Sequence, residues 1–216
     1  MNFQRLYEYR FTGIDQDVRA AVWREIAPFV HGRMGSPQRV LDPAAGRCEF
    51  INAVPAAERW AVDQTDYAER DADPGVRTVV ADIMDADLPQ GHFDGVWVSN
   101  FLEHLLSQEQ TASFLERMHA AMAPGGRIAI MGPNFRYCMK EYFDCADHTL
   151  VYTHTAIAEH LYAAGFTPES IVPRFLPYSF RGRLPATPLT TRLYLQAPPL
   201  WRLLGKQFLV IGRRPA

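Results

Sequence analysis

The chain has 216 residues, 48% of them hydrophobic and 21% charged, which suits one domain with a buried core and excludes disordered, collagen-like and coiled-coil chains. Its formal net charge of −2 hides an asymmetry, because no Asp or Glu follows Glu169. The last 47 residues carry +8 (Arg174, Arg181, Arg183, Arg192, Arg202, Lys206, Arg213, Arg214), and residues 1–169, with 14 basic against 24 acidic side chains, carry −10. In chain order, residues 16–31 place Val18, Val22, Ile26 and Phe29–Val30 on one helical stripe. After Gly32, Gly35 and Pro37 comes a short apolar run, 39–42, entering the small-residue turn Pro43-Ala44-Ala45-Gly46 and a helix-like stretch through Phe50, Ile51 and Val54. The pattern repeats: run 59–62 ends at Asp63, run 77–80 near Asp82, and run 93–98 at Ser99–Asn100. Residues 107–122 have a helical period, turning Phe114, Leu115, Met118 and Met122 inward, and run 127–131 follows Pro124-Gly125-Gly126. Further strands are expected around 170–176 and 207–212, separated by a Pro- and Arg-rich stretch, 177–206, with no strand signal. Short apolar strands alternating with helices predict an α/β fold with a doubly wound, mostly parallel sheet.

Three scattered cysteines, Cys48, Cys138 and Cys145, make neither a disulfide framework nor a zinc pairing. Charged residues from Arg5 to Glu25 interrupt the N-terminus, and no run approaches the roughly 18 apolar residues that a spanning helix needs. These features predict a cytoplasmic protein without a transmembrane segment.

In an open α/β sheet, ligands bind outside the carboxyl ends of the strands, where the strand order reverses. The turn Asp42–Cys48 would let a ligand approach the backbone and would present free N–H groups at a helix start. Asp63, 21 residues after Asp42, suits two ribose hydroxyls, and Asp82 with Ile83 offers a carboxylate beside an apolar wall for a purine.

Val40-Leu-Asp42-x-x-x-Gly46, Asp63, Ala81-Asp82-Ile83, Phe93-Asp94, Ser99-Asn100-Phe-Leu-Glu103-His104 and Pro124-Gly-Gly126 resemble, in order and spacing, the motifs of class I S-adenosylmethionine-dependent methyltransferases. The resemblance spans about residues 38–131. It implies a Rossmann-like seven-stranded sheet whose last strand is antiparallel, with S-adenosylmethionine as cofactor. It also implies that Asp42, Ala44 and Gly46 border the methionine end, Asp63 the ribose, Asp82 and Ile83 the adenine, and Asn100 the sulfonium region. Ala44 and Cys48 stand where glycines are usual, and Cys48 is expected to narrow the cradle. The expected layout is a single domain, 1–216: an N-terminal helix and lid at 1–36, in which Tyr7, Tyr9, Arg10 and Phe11 contribute, and a cofactor-binding core at 37–135. The acceptor loop, the insertion at 177–206 and the last strands complete it over 136–216.

The loop after the fifth strand, Gly132 to His148, is dense in aromatic and titratable groups and resembles the Asp-His segment of small-molecule and sugar methyltransferases. An acceptor hydroxyl is helped by a base of near-neutral pKa, and His148, oriented by Asp144 or Asp147, is the expected one. The other reading of Asp147–His148 is a loop-anchoring pair. His104 either borders the cofactor mouth as a second catalytic candidate or sets its loop together with Glu103; His154 is read as the start of the next helix, and Tyr137 and Tyr142 as pocket walls or acids. Glu141, Asp144, Asp147, His148 and His104 include mixed donors, but no tight ligand motif is visible and no metal is expected.

The expected function is O-methylation of a small-molecule hydroxyl, on a sugar or natural-product scaffold. The rivals are a protein or nucleic-acid methyltransferase and a non-catalytic relative of the fold. Ser99-Asn-Phe-Leu102 lacks the Asn/Asp-Pro-Pro-Tyr/Phe pattern of amino-group methylation, and an acidic body argues against a nucleic-acid partner. The basic segment has three candidate uses: phosphate binding by Arg181, Arg183 and Arg192, peripheral membrane contact through 189–206, or a homodimer interface.

Overall fold

A computed structural model of the chain describes residues 3–178 and 186–216, the side chains of Phe3, Gln4 and Tyr7 excepted. Seven strands are present: β1 Arg39–Asp42, β2 Glu58–Asp63, β3 Val76–Val80, β4 Phe93–Ser99, β5 Met122–Pro133, β6 Thr167–Val172 and β7 Gln207–Arg213. They form one sheet in the order β3-β2-β1-β4-β5-β7-β6. Strands β1 to β5 pair in parallel, and β7 runs antiparallel to both β5 and β6. Chain order reverses between β1 and β4, so the crevice for a ligand opens beyond Asp42 and Ser99.

The helices are α1 Phe3–Arg10, α2 Gln16–Arg33, α3 Glu49–Ala53, α4 Tyr67–Asp71, α5 Gln108–Ala121, α6 Phe135–Cys138, α7 His154–Ala163, α8 Pro188–Leu195 and α9 Pro198–Leu204. Both faces of the sheet are covered, which is why its strands read as unbroken apolar runs rather than alternating ones. Val62, Val96, Val98, Ile128 and Ile130 pack under Phe114, Leu115 and Met118 of α5 and Ile157 and Leu161 of α7. The alternate residues Ala61, Trp97, Ala129 and Met131 meet Val22, Trp23, Ile26 and Val30 of α2 and Phe50 and Ile51 of α3. Asp15 caps α2, accepting from the Asp17 and Val18 N–H groups; such a cap contributes about 1 kcal/mol.

Two strand boundaries and one helix differ from the sequence reading. Strand β5 begins at Met122 rather than 127, because Gly125, at φ +80°, donates to the Arg214 carbonyl and so extends the ladder with the chain end. Strand β6 ends at Val172, before Pro173, whereas Phe175 and Leu176 are buried beyond it. Helix α1 has no counterpart in the expected elements.

The larger correction concerns the insertion at 177–206. Its helices α8 and α9 pack against α2, while Tyr178 and Lys206 at its two ends meet Cys145 and Glu141 of the loop after β5. Trp201 is buried edge-on to Phe29 and Phe175, at centroid distances of 5.8 and 5.3 Å, and its Nε1 donates to the Tyr194 carbonyl at 2.8 Å. Trp201 is therefore a core residue, and the outward apolar side chains are Leu189, Leu193, Leu200 and Leu203. Part of the basic tail is paired within the chain: Arg192 forks onto Glu25 (2.7 and 2.9 Å), Lys206 pairs with Glu141, and Arg213 approaches Glu169. Arg192 is thus engaged by a carboxylate rather than left for a phosphate; Arg181 and Arg183 lie outside the described residues. Among the described residues, no helix is long and apolar enough to cross a membrane.

Candidate active site

The turn after β1 is built on two left-handed residues. Gly46 adopts φ +51°, and nothing lies within 4 Å of where its Cβ would stand, so the cradle is open there. Cys48 adopts φ +62°, at a cost of about 1–2 kcal/mol for a residue bearing a Cβ. Its side chain does not narrow the cradle as expected: it is buried in the core, with Sγ 3.8 Å from the Ala68 carbonyl, and burial raises the thiol pKa. Asp42 is buried beneath the turn, and its one hydrogen bond, from the Ala44 N–H, is long at 3.4 Å. Burial pushes its carboxyl well above the usual range; the Ala44 bond opposes this, while Asp63 and Glu49 add to it.

Asp63 joins two strand-end turns. Its Oδ2 accepts from the Gly46 N–H at 2.8 Å, and its Oδ1 accepts from the Thr65 N–H and hydroxyl at 2.9 and 2.7 Å. Asp82 is exposed and accepts from the Met84 N–H at 2.9 Å. Ile83, expected as an apolar wall, is instead buried in the core cluster with Trp60, Val62 and Leu88. Asn100 is exposed at φ +48°, a conformation its short polar side chain tolerates, and its N–H donates to the Met131 carbonyl. An open cleft of about 350 Å³ lies beside these turns, lined by Glu8, Phe11, Gln16, Arg47, Tyr67 and Arg70. The strand-end carboxylates are not among its walls. Sequence reading passed over Arg47, Tyr67 and Arg70 because none follows a strand directly.

On the other side of the crevice, the 3₁₀ turn Leu102–His104 after β4 is clamped to the loop after β5. The Glu103 carbonyl accepts from the Thr149 and Leu150 N–H groups at 2.9 and 3.1 Å, and the Thr149 hydroxyl donates to the Leu105 carbonyl. This clamp decides which groups meet. His104 Nδ1 lies 3.0 Å from the Asp147 carbonyl oxygen and 3.3 Å from its Oδ2. Asp147 therefore orients His104 and not His148, its neighbour in sequence. Asp144 is exposed, and among the described residues no hydrogen bond or ion pair joins it to His148. The His148 ring sits edge-on to His104 and Tyr142, at 5.0 and 4.7 Å. Burial foremost, with the nearby His104, pulls the His148 pKa down to about 4. That leaves it uncharged at neutral pH and weak as the base it was expected to be.

Arg10 of α1 pairs with Asp147, bringing the N-terminal helix over this side. Burial would raise the Asp147 carboxyl, but the Arg10 hydrogen bond and His104 outweigh it and hold it below its ordinary range. Tyr9 faces outward at 83% exposure and cannot serve as a lid contact, and Phe11 lies beneath the Arg19 guanidinium at 4.4 Å; the Tyr7 side chain lies outside the described ones. Tyr142 is fully buried with its hydroxyl on the Leu150 carbonyl at 2.5 Å, a structural anchor rather than a pocket acid. Tyr137 lies under the Arg174 guanidinium, 4.9 Å from it, and His154 opens α7 as expected. Glu103, absent from the expected site, is 3% exposed, and burial raises its carboxyl against the opposing pull of His104. Its adjacency to His104 was the only sequence signal. Gly132 leaves it room, since a Cβ there would stand 3.0 Å from Phe208 and 3.6 Å from Glu103 Oε2.

Comparison with known proteins points the same way as this geometry. The family model described as a methyltransferase domain matches residues 35–130, the stretch from the end of α2 to β5. Residues 35–130 are thus similar to a methyltransferase domain. The fold is also that of an Archaeoglobus fulgidus SAM-dependent methyltransferase, at 19% identity and TM-score 0.67, covering 99% of this chain and 100% of that one. A Haloferax volcanii protein solved in complex with the Trm112 methyltransferase activator superposes with TM-score 0.69 at 16% identity, over 98% and 96% of the two chains. A Burkholderia thailandensis 1,6-didemethyltoxoflavin-N1-methyltransferase, bound to its substrate and S-adenosylhomocysteine, gives 0.59 at 23% identity, over 99% and 89%. No curated protein sequence matches the chain. The open cradle at Gly46 and the buried carboxyl of Asp42, which receives a single long hydrogen bond among the described residues, fit S-adenosylmethionine, a cofactor bearing an ammonium group.

Proposed function

We propose that the chain transfers a methyl group from S-adenosylmethionine to a hydroxyl oxygen of a small-molecule acceptor, a sugar or natural-product scaffold. The cofactor supplies an already activated sulfonium methyl, so the protein's task is to hold the acceptor in line with it and handle the hydroxyl proton. In this reading Asp42, Ala44 and Gly46 receive the methionine end, Asp63 the ribose, Asp82 the adenine edge, and Asn100 lies toward the sulfonium. The acceptor oxygen meets the face formed by Glu103, His104 and His148.

The observation that carries the reading is the fixed pair His104–Asp147. The hydrogen bond from Nδ1 to the Asp147 carbonyl, with the carboxylate 3.3 Å away, holds that nitrogen as the donor and leaves the Nε2 lone pair free. The loop that supplies Asp147 is held by backbone bonds rather than by substrate, so the site is preorganised.

The test is calorimetry with S-adenosylhomocysteine, followed by methyl transfer from labelled cofactor to a panel of hydroxyl, amine and peptide acceptors. Transfer to hydroxyls, lost in His104→Ala while cofactor binding persists, is the expected result. Transfer to amines or peptides alone would overturn the acceptor assignment.

A further inference from the structure

The acceptor face contains polar groups that the fold leaves unsatisfied. Glu103 Oε1 and His148 Nδ1 are both buried without a hydrogen-bond partner, and Glu103 as a whole is 3% exposed. An unpaired buried polar atom costs about 1–3 kcal/mol, and native proteins keep few of them. Here two lie against a third lone-pair donor: one ligand atom from each of Glu103, His104 and His148 falls within 4.8 Å of the others. A carboxylate and two imidazoles converging in this way call for one positively charged partner.

We propose that Glu103, His104 and His148 bind a divalent first-row transition cation of the zinc type. Two nitrogen donors and one carboxylate oxygen favour zinc, iron or cobalt over magnesium and calcium, which prefer all-oxygen shells. Around a tetrahedral zinc the ligand atoms stand about 3.3 Å apart, so small rotations of the three side chains close the site. The outer contacts are already in place. His104 presents Nδ1 to the Asp147 carbonyl and carboxylate, which turns Nε2 toward the cluster, and Asp147 is in turn held by Arg10. A ligating histidine ordinarily has such a carboxylate or carbonyl behind it. Of the five donors weighed from the sequence, His104 and His148 belong to this cluster, whereas Glu141 is paired with Lys206, Asp144 is exposed and Asp147 stands behind His104.

Three protein ligands leave a fourth position open. Resting on the acceptor reading above, that position takes the acceptor's oxygen, which makes the acceptor a hydroxyl compound able to bind the cation.

The experiment uses the full chain, stripped with a chelator and desalted. Zn²⁺ is titrated by calorimetry and Co²⁺ by its visible absorption bands. One cation per chain is expected, with affinity weakened at least about tenfold in Glu103→Gln and in His148→Ala, and about 10- to 100-fold in Asp147→Asn, which touches only the orienting contact. Unchanged S-adenosylhomocysteine binding shows that the variants are folded. Failure to bind zinc, or equal affinity in Glu103→Gln and His148→Ala, overturns the site. A stripped chain that methylates hydroxyls at the full rate overturns the cation's role while leaving the methyl-transfer reading intact. A chain that binds zinc through these residues but methylates no hydroxyl sustains the site and overturns the acceptor reading.

Discussion

Replacing Asp63 with asparagine asks whether this carboxylate holds the cofactor or only its own turns. Oδ2 receives the Gly46 N–H, and Oδ1 receives both donors of Thr65. A carboxylate has about four acceptor positions, so one remains, on Oδ2, for a single ribose hydroxyl rather than the two expected from sequence. Asparagine keeps an oxygen for Thr65 but sets an NH₂ group against the Gly46 N–H, donor against donor. A hydrogen bond to a charged group contributes about 1.5–3 kcal/mol, and urea unfolding of the cofactor-free protein should register a loss of that size. If the remaining position serves the ribose, S-adenosylhomocysteine binding weakens by about 10- to 150-fold in calorimetry. A Kd within about twofold of the parent, alongside the lost stability, would refute the ribose assignment and make Asp63 a fastener of turns.

Two further outcomes follow from burial. Trp201→Ala removes a buried indole, two edge-on ring contacts and a hydrogen bond, and should lower the urea-unfolding free energy by about 3–5 kcal/mol; a loss below about 1 kcal/mol would mean that α9 is not part of the core. Asp42 has its pKa raised in the fold, chiefly by burial, so the native state holds its proton more tightly than the unfolded chain. This carboxyl therefore lowers the stability of the cofactor-free protein progressively as pH rises above the ordinary carboxylate range. Asp42→Asn should remove that slope, becoming more stable than the parent by a margin that grows as pH rises above the ordinary carboxylate range, while binding S-adenosylhomocysteine less well. A margin that shrinks with pH would contradict the assignment.

The mostly parallel sheet and the strand-end positions of Asp42, Asp63, Asp82 and Asn100 were legible in the sequence, whereas the order reversal between β1 and β4 was seen only in the structure. They depend on local rules: apolar runs of strand length, small residues at tight turns, and motif order along one stretch of chain. Those rules are silent on side-chain direction once a loop is folded against another element. Asp147 and His148 are neighbours in sequence, yet one turns to His104 and the other is buried against Tyr142. The backbone bonds from Thr149 and Leu150 to the Glu103 carbonyl set that divergence. For the same reason Cys48 reads as an obstruction in the cradle but lies in the core, where its left-handed backbone aims the thiol.

The basic tail follows the same division. Its charge and its position after Glu169 are properties of the sequence. That Arg192 is spent on Glu25, 167 residues away, and that Trp201 fills a socket between Phe29 and Phe175, required the packing of α8 and α9 on α2. Composition and the spacing of apolar runs pointed to an α/β sheet with a ligand crevice at its strand ends. Long-range packing alone decided that Glu103, His104 and His148 share one buried corner of it, because burial and pairing are properties of the assembled layers rather than of any one segment.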